Sequence, residues 1–185
     1  MTGPGQALKT RGRRRYAAFA GDDKGATAVE FALVTAPFLA LIIALIQTFL
    51  VFFAQELLES VVQQSARLIM TGQVQSQQMT QAAFKQKVCD QIVIFFNCSG
   101  IMVDVQVANS WTSADTSMPP LTFNSQGQVT NVWQFNPGTA GDIVVLRVTY
   151  VWPVVLGPLG FNLSNISNGN RQIMASAAFQ NEPSS

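Results

Sequence analysis

Residues 31–53 read FALVTAPFLALIIALIQTFLVFF, an apolar run without charge whose polar interruptions are Thr35, Gln47 and Thr48. About twenty such residues at a 1.5 Å rise cover a hydrocarbon core roughly 30 Å thick. The run holds fifteen Leu, Ile, Val and Phe residues, each worth roughly −0.3 to −0.6 kcal/mol in a span, so insertion is favourable by several kcal/mol. A core helix of a soluble protein is usually shorter or carries a polar stripe. The spacing therefore predicts a transmembrane helix. Past residue 53 the apolar period continues through Leu57, Leu58, Val61, Val62, Ser65, Leu68 and Ile69, with Glu56, Glu59, Gln63, Gln64 and Arg67 on other faces. That stripe carries the helix without a break to about Met70, with Gly72 as the stop signal. Pro37 lies inside the apolar run. It removes a backbone donor, and the sequence leaves open whether it is a flex point or a tolerated membrane proline.

The remaining pattern predicts a small mixed domain. Residues 73–81 form a Gln-rich link, and Thr80 is placed to N-cap a second helix holding Ala82, Ala83, Phe84, Val88, Ile92 and Phe95. Ile101, Val103, Val105 and Val107 alternate with Met102, Asp104 and Gln106, the two-residue period of a half-buried strand. A loop rich in Ser, Thr, Asn, Gly and Pro follows over 110–142, with a short strand expected near 129–135. Residues 143–152 are dense in β-branched and aromatic side chains and stop at Pro153. A last alternating strand is expected over 172–179. The expected fold class is α+β: a long N-terminal transmembrane helix extending into a small extracytoplasmic domain with a second helix and a short antiparallel sheet. A length of 185 residues suits one folded unit beside a membrane segment. The division is a basic tail over 1–25, the long helix over 26–72 and the outer domain over 73–185.

Charge gives the orientation. Of eleven Lys and Arg residues, six (Lys9, Arg11, Arg13, Arg14, Arg15 and Lys24) precede the apolar run, while Glu56 and Glu59 follow it ahead of Arg67. The positive-inside rule places the N-terminus in the cytoplasm. Charged residues make up 11% of the chain, against roughly 25% in soluble domains. A cleaved secretory signal fits poorly: the apolar run is about twice a usual h-region, and no small-x-small site follows it. Arg14 and Arg15 as a twin-arginine signal meet the same objection, since the next segment is too apolar. Cys89 and Cys98 are the two cysteines. On the outer side they read as a disulfide, and the alternative, a metal site, lacks any histidine to complete it. With no histidine, no Gly-rich phosphate loop, no G-x-S-x-G elbow, and Asp104, Asp115 and Asp142 scattered, the chain reads as a non-enzyme without cofactor or metal. Asn162 and Asn165 head formal glycosylation sequons in an Asn/Ser-rich loop where such triplets arise by chance. The basic tail suits anionic lipid and is too short and poor in aromatics for nucleic acid.

Lys24 to Phe31 reads KGATAVEF and looks like a type IV prepilin processing site. The cut would fall between Gly25 and Ala26, leaving Glu30 as mature residue five. Residues four apart share a helix face, and a carboxylate entering lipid needs a cation, which a free α-amine of its own or a neighbouring chain supplies. The plainer reading is that Gly25 ends the tail and Glu30 sits favourably at the positive end of a helix dipole. Taken whole, the chain resembles the TadE-like pseudopilin family of the tight-adherence (Flp) pilus systems. The Arg-rich tail leading into GATAVEFALVTAPFL (25–39), ESVVQQSARLIMTGQVQ (59–75), AAFQNEP (177–183) and the Cys89 and Cys98 pair carry the resemblance. It implies a pilin-like fold in a bacterial inner membrane with a periplasmic C-terminal domain, and a minor-pilin role in assembling a pilus for surface attachment. It also implies a prepilin peptidase, other pseudopilins and pilus assembly platform proteins as partners. The alternative is an uncleaved single-pass anchor with a periplasmic docking domain.

Overall fold

The structure is a computed structural model that describes residues 23–92, 94–155 and 157–183. Most of the basic tail, including the arginine cluster, lies outside these residues. Helix α1, Asp23–Met70, is assigned as one helix straight through Pro37. It stops where Gly72 takes the left-handed conformation (φ 73°), which a residue without Cβ adopts at no steric cost. The N–H groups of Thr71 and Gly72 donate to the carbonyls of Arg67 and Ile69, closing the last turn. Where the sequence suggested only a link, Gln73–Ser76 makes a single helical turn, α2.

The chain divides into two units, 1–45 and 46–185. The described part of the first is the beginning of α1, whose apolar side chains are mostly exposed. In the second, strands β1 (Met102–Ala108), β2 (Ile143–Trp152) and β3 (Arg171–Gln180) form an antiparallel sheet in the spatial order β1-β2-β3. The register sets Asp104 opposite Arg147 and Arg147 opposite Ser176. One sheet face, with Val103, Val105, Val144, Leu146, Val148, Ile173 and Ala175, shares a core with Ala54, Leu58, Val61, Val62, Ala66 and Ile69 of α1. Those helix positions recur at helical spacing, so one stripe of α1 supplies much of the core. Gln55 Nε2 donates to the carbonyl of Met174 at 2.8 Å and ties the same helix to β3.

Helix α3, Gln81–Cys89, adds Phe84 and Val88 to this core, and its N-cap is Thr80, whose hydroxyl accepts from Ala83 N at 3.2 Å. It ends six residues before Phe95, the last residue expected in it. Cys89 and Cys98 form a disulfide with Cα atoms 5.6 Å apart. Nine further helical residues would carry those atoms roughly 13 Å apart, so the crosslink and a longer helix exclude one another. Ile92 and Phe96 therefore reach the core from a turn. The strand expected near 129–135 is replaced by two isolated bridges, Val105 with Phe135 and Phe123 with Val129. Gln134 O accepts from Val105 N, and Asn136 N donates to Val105 O, so this segment covers the outer edge of β1.

The second sheet face departs most from its pattern. Asp104, expected on the polar side of β1, is 3% exposed, and Arg147 is 8% exposed. Part of the long loop roofs them: Gln172 Nε2 donates to Pro119 O, Ser176 Oγ to Thr116 O, and Arg147 Nη1 to Asp115 Oδ2. Arg147 gives two hydrogen bonds to Asp104 Oδ2, at 2.6 and 3.1 Å, while Asp104 Oδ1 accepts from Gln134 N at 2.8 Å. With its oxygens satisfied, the buried carboxylate balances the guanidinium. Asp115 stays exposed, and hydrogen bonds from Ser117, followed by the Arg147 charge, hold its carboxyl below the ordinary 3.8.

Asp104→Ala leaves Arg147 buried without its partner and is expected to cost about 3–5 kcal/mol. Asp115→Ala, at the exposed end of the same group, is expected to cost far less, because solvent screens an exposed ion pair. Denaturant unfolding in detergent micelles checks both. Because the Asp115 carboxyl is depressed in the fold, its contribution is present above pH 3.8 and is lost as the pH falls below that value. Replacing both Cys89 and Cys98 by Ser is expected to lower stability by about 2.5–3 kcal/mol through loop-closure entropy, read as a lower thermal midpoint in the same detergent.

Candidate membrane anchor and processing site

Lipid-facing chemistry dominates the N-terminal part of α1. Val29, Phe31, Leu33, Val34, Phe38, Leu39 and Leu41 are each more than half exposed. A contiguous apolar surface of that extent in water would be an aggregation or interaction site; in hydrocarbon it is ordinary. The helix is long and apolar enough to cross a membrane, and none of its most apolar stretch is buried inside the protein. A soluble core helix of the same composition would be covered by its own fold. The C-terminal part of this helix carries Leu58, Val61, Val62 and Ile69 into the core. Cleavage after the apolar run, as at a secretory signal, would end α1 at the edge of that core. The arrangement is consistent with a single N-terminal membrane anchor.

Gly25 and Ala26 fall in the first turn of α1, where backbone N–H groups have no acceptor one turn earlier and helices fray most readily. Glu30 lies four residues on, about 6 Å further along the axis, and is exposed. The three residues thus share one short helical segment. The cysteine pair lies elsewhere, at the end of α3, with Cys89 1% exposed.

Among the described residues no group of three or more His, Cys, Asp or Glu is placed to hold a metal. A groove of about 720 Å³ runs beside β3, lined by Ser60, Gln63, Arg67, Ser176 and Phe179 among others. Arg67 is the one ionisable side chain in its lining, so it offers no acid and base pair for proton transfer.

Sequence reasoning missed the Asp104–Arg147–Asp115 group, because its members are 11 and 32 residues apart or more and meet only through the register and the loop. It also missed the contact between Phe53, at the end of the apolar run, and Phe95, inside the disulfide-closed turn, whose ring centroids lie 5.3 Å apart. The apolar residues Ile92 and Ile94–Phe96 between two cysteines were the available signal for that contact.

Residues 25–67 match the family described as TadE-like protein. No curated protein and no solved structure matches the chain. The matched segment lies wholly within α1, so the cysteine pair and residues 177–183, which also carried the resemblance, fall outside it. From Gly25 to Arg67, over all but the ends of its long helix, the chain is similar to the TadE-like family.

Proposed function

We propose that the protein is a pseudopilin of a tight-adherence (Flp) pilus system, anchored with its N-terminus in the cytoplasm and its folded domain in the periplasm. The supporting observation is the continuity of α1: the KGATAVEF motif, the apolar run and a core-forming stripe lie on one helix. In this reading a prepilin peptidase cuts between Gly25 and Ala26. The cut removes six cations, Lys9, Arg11, Arg13, Arg14, Arg15 and Lys24, and with them the charge that holds the N-terminus on its side. One α-amine replaces them. A charge in lipid costs roughly 2.5–3.5 kcal/mol on insertion scales, so the Glu30 carboxylate and the amine of a neighbouring subunit have reason to pair. That pairing fixes the axial register of one helix against the next, and the domain then caps or adapts the fibre. Other pseudopilins and the assembly platform are the partners in this reading.

One observation favours a second reading, an uncleaved anchor that uses its domain as a docking surface. Gly25 and Ala26 lie within a helix, and a helical peptide bond must unwind before a peptidase can take it.

Intact mass of the protein purified from membranes of its host, with and without the prepilin peptidase, separates the two. A peptidase-dependent N-terminus at Ala26 is expected. An unprocessed chain in both strains would overturn the pseudopilin reading and leave the anchor. In the processed protein, Glu30→Gln is expected to leave cleavage intact and to reduce incorporation with other subunits roughly tenfold or more, the effect of losing about 1.4 kcal/mol of pairing, measured by crosslinking in the membrane fraction.

A further inference from the structure

Where the apolar run of α1 ends, the folded domain presents an apolar surface, with Lys85 Nζ 3.4 Å from Ser99 O and Arg171 Nη1 3.0 Å from Leu163 O at its border. Ile94 is 89% exposed and Val155 72%, and Phe95 and Phe53 are each more than a third exposed. They do not belong to the core. Phe96, next to Phe95, turns inward instead, with its ring centroid 5.0 Å from that of Tyr150 and 5.9 Å from that of Trp152. This aromatic group holds the turn against the end of β2, and the Cys89–Cys98 disulfide closes it from behind. Trp152 is the last residue of β2, so Val155, three residues on, leaves the sheet at the same end. Residues 91–101 and 152–170 contain no Asp, Glu, Lys or Arg. The nearest charges in sequence, Asp90 and Arg171, flank these segments.

Phe53 fixes the level of this surface relative to the lipid. It is the last residue of the apolar run, and Gln55 and Glu56 begin the polar part of the helix. The ring of Phe49 stacks on that of Phe53 at 5.7 Å, and Phe53 meets Phe95 edge to face at 5.3 Å. Helical side chains lean toward the N-terminus, so the Phe53 ring covers the turn on the lipid side of its own Cα. Each headgroup layer is roughly 5–8 Å deep, little more than one helical turn. A side chain touching Phe53 therefore lies within that layer.

We propose that Ile94 and Phe95, together with Val155, insert into the headgroup and acyl boundary of the membrane that α1 crosses, giving the domain a second point of attachment to the bilayer. The occupant is lipid because the surface is continuous with the last lipid-facing turn of α1, is built from apolar and aromatic side chains and is bordered by the cations of Lys85 and Arg171, the composition favoured at membrane interfaces. The inference rests on α1 spanning the membrane. The disulfide keeps an apolar turn in shape where the core cannot, since Ile94 faces away from it.

The test uses the full chain in phosphatidylethanolamine–phosphatidylglycerol vesicles, with and without lipids brominated on the acyl chains near the glycerol. Single tryptophans are placed by Ile94→Trp, Phe49→Trp and Ala140→Trp in a background carrying Trp111→Phe, Trp133→Phe and Trp152→Phe. Ala140 is exposed and lies beside Met70 and Glu182, at the other end of the domain. Thiol alkylation confirms that each variant keeps its disulfide, and a cooperative thermal transition in detergent confirms that it keeps its fold. Quenching by the brominated lipids is expected in the Ile94→Trp protein as in Phe49→Trp, with Ala140→Trp unquenched. Quenching of Phe49→Trp with Ile94→Trp as bright as Ala140→Trp overturns the proposal and leaves this face to a protein partner or a second copy. Absence of quenching in Phe49→Trp as well overturns the membrane span together with the proposal.

Discussion

Between Phe53 and Leu58 the helix α1 changes solvent without changing secondary structure. From Phe31 to that point its side chains are apolar apart from Thr35, Gln47 and Thr48, which suits hydrocarbon and is hazardous in water. Beyond it one stripe, Ala54, Leu58, Val61, Val62, Ala66 and Ile69, is buried, while Glu56, Glu59, Gln63 and Arg67 face outward. The sheet depends on this stripe. A three-stranded sheet needs a packed partner on its apolar face to keep that face from water, and α1 and α3 together cover it. Anchor and core are therefore the same piece of chain.

The other face of the sheet obeys a different constraint. Its central positions are Asp104, Arg147, Thr149 and Gln172, all buried, and the long loop is what buries them. A buried ion pair is weak evidence for stability in itself, since both charges lose water. Here each partner is also hydrogen-bonded to the roof: Asp104 to Gln134 N and Arg147 to Asp115. The pair thus ties the loop to one position on the sheet. The exposed edges are managed locally. Gln134 and Asn136 occupy the edge of β1, and on β3 the side chain of Asn165 bonds both the N–H and the carbonyl of Gln172, so side chains and loop backbone blunt what would otherwise be open templates for strand pairing.

What was legible in the sequence was whatever repeats locally. The span, the continuation of α1 to Met70, the Thr80 cap and the three strands each write a period or a cap into neighbouring residues. The features that depend on distant partners were not legible. The end of α3 is set by a crosslink nine residues away, the burial of Asp104 by a register with Arg147, and the path of residues 129–136 by a single edge position on β1. The KGATAVEF segment could be read as one unit because Gly25, Ala26 and Glu30 lie within one and a half turns of each other. The family match has the same bias, since it covers the periodic helix and none of the sheet.

Having one helix serve both membrane and core has a consequence for biosynthesis. The stripe from Leu58 to Ile69 emerges early, whereas Ile173 and Ala175 of β3, which complete its cover, emerge roughly 100 residues later. At about 5–20 residues per second of synthesis, the apolar stripe waits on the order of 5–20 s beside a bilayer that competes for it. The polar residues Glu56, Glu59, Gln63, Gln64 and Arg67, interleaved with the stripe, oppose its sliding into lipid during that interval, and so hold open the side of the helix on which the sheet will later close.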